Sequence, residues 1–217
     1  MNADQTTKLL MEARKQMYQL FSRIFILEAD EKLFHAMKTF QFPEAPEDTD
    51  FAVGYQKLKD YFASHDTSDI INLEVDYARI FLAAGVAQGL AAFPYESVYT
   101  NKKHLMNQEA SEDVTILYAA KGLKAREAMY RIPNDHIGLE FEYMARLCED
   151  AAQAAEERYE PVLAESMKEQ TEFCKHHMKR WMTMFCNDVI KYAETDFYRA
   201  VGTICRGFIR EEISLLA

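Results

Sequence analysis

The stretch IPNDHIGLEFEYMARLCEDAAQAAEER, residues 132–158, decides the fold. Pro133 fixes a turn, Asn134 or Asp135 caps the free N–H groups that follow, and apolar residues then recur at helical spacing. This predicts a long helix running to about Arg158, with His136 meeting Glu140 one turn on. The same residues pose the functional question. An aspartate beside a histidine after a proline is a catalytic pair, half of a metal site, or a helix start that serves something else.

The chain on either side is punctuated by only 7 Gly and 5 Pro, and most intervening segments repeat the helical pattern. In the first, Leu10, Ala13, Met17, Leu20, Phe21, Ile24 and Phe25 share one face, with Lys8, Glu12, Lys15 and Arg23 turned to solvent. Asp30 caps a short second helix carrying Leu33, Phe34, Met37 and Phe40. The loop QFPEAPEDTD precedes a third with Tyr55, Leu58, Tyr61 and Phe62. Thr67 or Ser68 opens a fourth, with Ile71, Val75, Ala78 and Phe81-Leu82 inward and Glu74 and Arg79 outward. Residues 85–100, GVAQGLAAFPYESVYT, break the pattern. Ser111 then begins a helix that Gly122 ends, Pro161 starts one that runs towards Met184, and Thr195 or Asp196 caps a last one bearing Phe197, Val201, Ile204, Phe208 and Ile209. No stretch alternates strictly over strand length, so the expected fold is all-α, a bundle or array of about eight to ten helices.

Composition narrows the function. Asp and Glu outnumber Lys and Arg 35 to 25, a formal charge of −10. That opposes nucleic-acid binding, which depends on neutralising phosphates, and favours a basic partner. No apolar run approaches the roughly 20 residues that span a bilayer. The N-terminal MNADQTTKLLMEARKQMYQLF lacks a basic region followed by an apolar one, so a cytoplasmic protein is expected. Cys148, Cys174, Cys186 and Cys205 form no C-x-x-C pair and read as reduced, packed thiols.

Enzyme classes with a recognisable signature are excluded, because the chain has no P-loop, no dinucleotide-binding glycine fingerprint, no H-E-x-x-H and no G-x-S-x-G. No glutamate has a histidine three residues after it, the spacing a carboxylate-bridged metal pair needs in a bundle. Neither a metal nor another cofactor is expected. Cys174 and His177 share a helix face, but adjacent histidines diverge by about 100° on a helix, and His176 and His177 read as structural. For Asp135-His136, helix initiation explains the aspartate fully and the histidine in part. Catalysis would require a nucleophile or bound water near His136, and no serine or cysteine stands in such a context. Eleven methionines and many aromatics suit either a core or an adaptable surface for partner peptides. The aromatic loop FPYESVY either packs on the helices or receives a ligand.

Three segments together resemble the TorD family of redox-enzyme maturation chaperones, which includes TorD, DmsD and, more distantly, NarJ. DYARIFLAAG (76–85) is similar to the family's aromatic-x-x-Leu-Phe helix end, with Ile80-Phe81 where Leu-Phe is usual. AFPYESVY (92–99) resembles its Pro-aromatic-Glu-Ser-Val-Tyr loop, and IPNDHIGLEFEYM (132–144) its Pro-x-Asp-His motif, with Ile132 where a glutamate commonly precedes the proline.

The resemblance implies a TorD-like helical chaperone, not an enzyme. It would bind the twin-arginine signal peptide, and often the immature body, of a molybdopterin oxidoreductase of the DMSO-reductase type. It would hold that client in the cytoplasm until its cofactor is inserted, and so prevent premature export. By the family motifs, Pro133, Asp135, His136 and Glu140 lie at the peptide site, with Tyr95, Glu96 and Tyr99 on the facing loop and Phe81 contributing from its helix end. Asp135 would receive an arginine or fix the loop, His136 would hydrogen-bond the peptide, and the aromatics would meet its apolar stretch. The chain is expected to form a single domain over residues 1–217, or two helical subdomains divided near 85–110, as a monomer or a domain-exchanged dimer. The alternative reading is a helical small-ligand-binding protein or an enzyme using His136 as acid or base.

Overall fold

A computed structural model describes residues 3–82, 84–85, 89–123 and 132–216. Ala83 and residues 86–88, which belong to the segments quoted above, lie outside them. Among the described residues all regular structure is helical: α1 (Ala3–Ile26), α2 (Glu31–Thr39), α3 (Asp50–Ser64), α4 (Ile70–Phe81), α5 (Glu96–Thr100), α6 (Glu109–Ala120), α7 (Ile137–Glu157), α8 (Glu160–Phe173), α9 (Lys179–Tyr192) and α10 (Asp196–Leu215). The fold is all-α.

Side chains at the helix ends account for several of these boundaries. Asp30 accepts a hydrogen bond from Leu33 N at the start of α2, and Thr49 one from Ala52 N at the start of α3. Asp66, ahead of the expected Thr67 or Ser68, caps a 3-10 turn that leads into α4. α6 starts at Glu109, two residues before Ser111, and Gly122 closes it at a φ of 66°. Pro161 sits in the first turn of α8. That run does not stop near Met184: it passes through a π-turn at Cys174–Met178 and continues as α9 to Tyr192.

The chain divides into two compact units, neither of them a continuous segment. The first holds the described residues up to Ile26, Tyr95–Arg180 and those after Glu212; the second holds Leu27–Pro94 and Trp181–Glu212.

In the first unit α1 packs along α7, and α7 along α8. Tyr18, Phe21 and Phe25 gather around Phe141 with ring centroids 5.7, 5.9 and 6.4 Å away. Burying each such side chain contributes about 1.5–3 kcal/mol. Ala151, Ala152, Ala154 and Ala155 are buried along the C-terminal half of α7. The buried face of α1 is displaced from the expected one. Leu10 and Ala13 are exposed, whereas Met11, Arg14 and Tyr18 are buried. The reason is Arg14, which enters the core because Gln170 Oε1 on α8 accepts from its guanidinium at 2.6 Å.

The second unit is built on aromatic contacts. Phe34 meets Phe62 edge-on at 5.1 Å, Phe62 meets Phe197, and Phe81 lies between Phe185 and Tyr198. Phe81 faces this core as expected, but the rest of α4 presents the face opposite to the expected one. Ile71, Val75 and Leu82 are exposed, while Leu73, Asp76, Tyr77 and Ile80 are buried, and Arg79 is mostly covered rather than outward. Asp76 is what fixes that choice. Its carboxylate accepts from Arg79 Nη2, from the backbone N–H groups of Glu194 and Thr195, and from Thr195 Oγ1 at 2.7 Å, so this face must turn towards the start of α10.

Candidate functional site

Seven of the eight residues singled out by sequence lie in the first unit, where two loops are clasped together. Tyr95 and His136 form an isolated antiparallel bridge. Asp135 carries the clasp: its carbonyl accepts from Glu96 N at 3.0 Å and its Oδ2 from Ser97 N at 2.9 Å. The aspartate before α7 therefore caps α5, a helix nearly 40 positions earlier in sequence.

With Asp135 committed there, the start of α7 is capped by His136 itself, not by Asn134 or Asp135. His136 Nδ1 accepts from Gly138 N at 3.0 Å. A Cβ on Gly138 would run into Ile26 and lie 3.2 Å from that nitrogen, so glycine lets the backbone close over the ring. His136 is 3% exposed, and burial pushes its pKa down to about 3. The imidazole is neutral, with its proton on Nε2. This speaks against the acid–base alternative, since a general acid or base needs both access to substrate and a pKa near the working pH.

The clasp extends to α6. Tyr118 OH donates to Asn134 O at 3.0 Å, and Asn134 Nδ2 donates to Thr115 Oγ1 at 2.7 Å. Burial, and then the charges of Glu140, Asp135 and Glu96, push the Tyr118 phenol well above its ordinary pKa. Three fully buried carboxylates thus stand near one phenol. Glu96 Oε2 accepts from His177 Nδ1 at 2.8 Å, and Arg180 Nη1 stands 3.5 Å from Oε1. Phe173, one helical turn before His177, stacks on its ring at 4.7 Å. His177 itself lies in the π-turn that follows Phe173, a distortion that often marks functional positions.

Of the expected site residues, Asp135, His136, Glu96 and Glu140 are internal, and only Pro133, Tyr95 and Tyr99 are half-exposed. Phe81 lies in the other unit, inside its aromatic core at 3% exposure. Sequence reading passed over Ser97, Tyr118 and Arg180, and placed His177 beside Cys174 rather than on Glu96. All four cysteines are buried thiols outside any disulfide, and among the described residues no three His, Cys, Asp or Glu converge as metal ligands.

The sequence model of the family described as "Nitrate reductase delta subunit" matches residues 44–187. The chain belongs to this family, the TorD family of maturation chaperones. It is 24% identical over 214 residues to the chaperone protein TorD of Vibrio cholerae, covering 96% of this chain and 94% of that protein. With TorD of Aliivibrio salmonicida it shares 24% over 215 residues, 95% of each. A crystal structure from Archaeoglobus fulgidus, assigned as a redox enzyme maturation protein, has the same fold at 18% identity and a TM-score of 0.54, covering 90% of this chain and 93% of that one. As a TorD-family member the chain is a maturation chaperone and not an enzyme. No described helix is long and apolar enough to cross a membrane.

Proposed function

We propose that this TorD-family chaperone binds the twin-arginine signal peptide, and the immature body, of a molybdopterin-dependent oxidoreductase of the DMSO-reductase type. It does so in the cytoplasm, assisting cofactor insertion and preventing premature export. The observation that carries this reading is the clasp of the 95–99 segment onto residues 133–136, through the Tyr95–His136 bridge and the two hydrogen bonds that Asp135 accepts. It gives the internal residues a positioning role and leaves Tyr95, Tyr99 and Pro133 to meet the peptide. A formal charge of −10 suits a ligand that carries a basic pair.

The test is calorimetric titration with synthetic leaders of the source organism's molybdoenzymes, each beside a Lys-Lys counterpart. Saturable binding of one leader, weakened about tenfold or more by Tyr95→Ala with Tyr99→Ala while far-UV circular dichroism stays unchanged, is the expected result. No saturable binding to any leader overturns the proposal. Binding of the client body alone would keep the maturation role and move recognition away from the leader.

A further inference from the structure

A groove of about 610 Å³ runs along α6 and α8 in the first unit. Its apolar lining includes Ile116, Leu117, Tyr143 and Phe173, and Ile116 is 69% exposed, unusual for an isoleucine in a helix. Four carboxylates, Asp113, Glu165, Glu169 and Glu172, stand on the lining beside Lys121, Lys168 and Arg180; Glu169 pairs with Lys121 at 2.6 Å and Glu172 with His176 at 3.1 Å. His177 and Arg180 also line the groove; the first is hydrogen-bonded to Glu96 and the second faces it.

Glu96 is fully buried, and its Oε1 accepts no hydrogen bond from any described residue. The cation facing that oxygen is Arg180 Nη1 at 3.5 Å, on a side chain that is half exposed. A well-made guanidinium–carboxylate contact closes to about 2.7–2.9 Å. Arg180 is therefore a loose occupant on the groove side of a carboxylate with spare accepting capacity.

We propose that Glu96 is the receptor for an arginine of the client peptide, which displaces Arg180, and that the groove seats the apolar residues following that arginine. The inference rests on the leader-binding reading and names where in the chaperone the leader's two chemical parts go. Arginine fits better than lysine because its planar, weakly hydrated head enters a buried carboxylate site at lower desolvation cost. A buried carboxylate behind Arg180, with an apolar lining beside that arginine, matches a basic residue followed by an apolar run.

The same leaders, and counterparts with each arginine changed to glutamine, are titrated against the wild type, Arg180→Ala, Glu96→Gln and Ile116→Asp. Removing the competing cation in Arg180→Ala should tighten binding severalfold. Ile116→Asp, at an exposed position that leaves the fold intact, should weaken it about tenfold. Glu96→Gln should abolish the preference for arginine over glutamine at one leader position; should that variant fail to fold, the other two decide. Leader binding by the wild type that none of the variants alters removes the groove assignment and leaves the leader reading standing. No binding by the wild type removes both.

Discussion

Each unit buries an aspartate, and the two are treated differently. In the second, Asp76 uses both oxygens, on one guanidinium, two backbone N–H groups and a hydroxyl, and Asp50 is gripped by Arg206 at 2.6 and 3.0 Å and by Arg210 at 2.9 Å. In the first, Asp135 spends Oδ2 on Ser97 N, while its Oδ1, like Oε1 of Glu96, accepts nothing from the described residues. Full satisfaction marks a staple whose work is finished when the chain folds. A buried oxygen left over is a standing cost of about 1–3 kcal/mol, which a bound donor can recover. The contrast marks Asp76 as a structural staple and leaves unused accepting capacity on Asp135 and Glu96 in the first unit.

The sharpest way to break this contrast is to make the same change at both aspartates. Asp76→Asn turns one accepting oxygen into a donor facing donors and strips Arg79 of its buried counter-charge. Urea unfolding should show a loss of about 3–5 kcal/mol. A loss below about 1 kcal/mol would mean that Asp76 is no staple, and the distinction between the units would fail.

Acid stability gives the next largest effect. An unfolded chain protonates His136 near pH 6.5, whereas the folded chain holds it neutral down to about 3. Between those values the unfolded state binds the extra proton. The contribution of this residue is therefore complete above pH 6.5 and is lost as pH falls towards 3, by up to about 1.4 kcal/mol per unit. His136→Asn keeps a side-chain acceptor for Gly138 N and removes the titration, so the urea midpoint should fall less steeply between pH 6.5 and 4.5 than in the wild type. Equal slopes would show that the ring is not shielded.

These particulars also show how far the sequence could be read. The helices were legible because Gly and Pro are scarce and capping residues such as Asp30 stand where helices begin. The inward face of α4 was not, because the helix carries two apolar stripes, Ile71, Val75 and Leu82 on one side and Leu73, Tyr77 and Ile80 on the other, and periodicity cannot choose between them. Asp76 chooses, through partners more than 110 residues away. For the same reason the Pro133–His136 turn could be located but its bonding could not. The cap that His136 gives Gly138 N follows from Asp135 being engaged by α5, and Glu96 meets His177 across 81 positions that no local pattern spans.

The smallest expected effect is the most discriminating. Asp135→Asn retains an oxygen for Ser97 N and replaces the idle Oδ1 with an amide, so stability should change by no more than about 1 kcal/mol, the scale of one net hydrogen bond. The same substitution therefore separates the two units by several kcal/mol, and it does so without altering side-chain volume. If Asp135→Asn destabilises the chain as severely as Asp76→Asn, the idle oxygen has a structural partner after all and the first unit holds its aspartate as tightly as the second. If it is nearly silent in urea yet lowers affinity for a leader peptide, Asp135 sets the loop that the peptide meets, and the spare capacity around Glu96 is the part of this chaperone built for something other than its own fold.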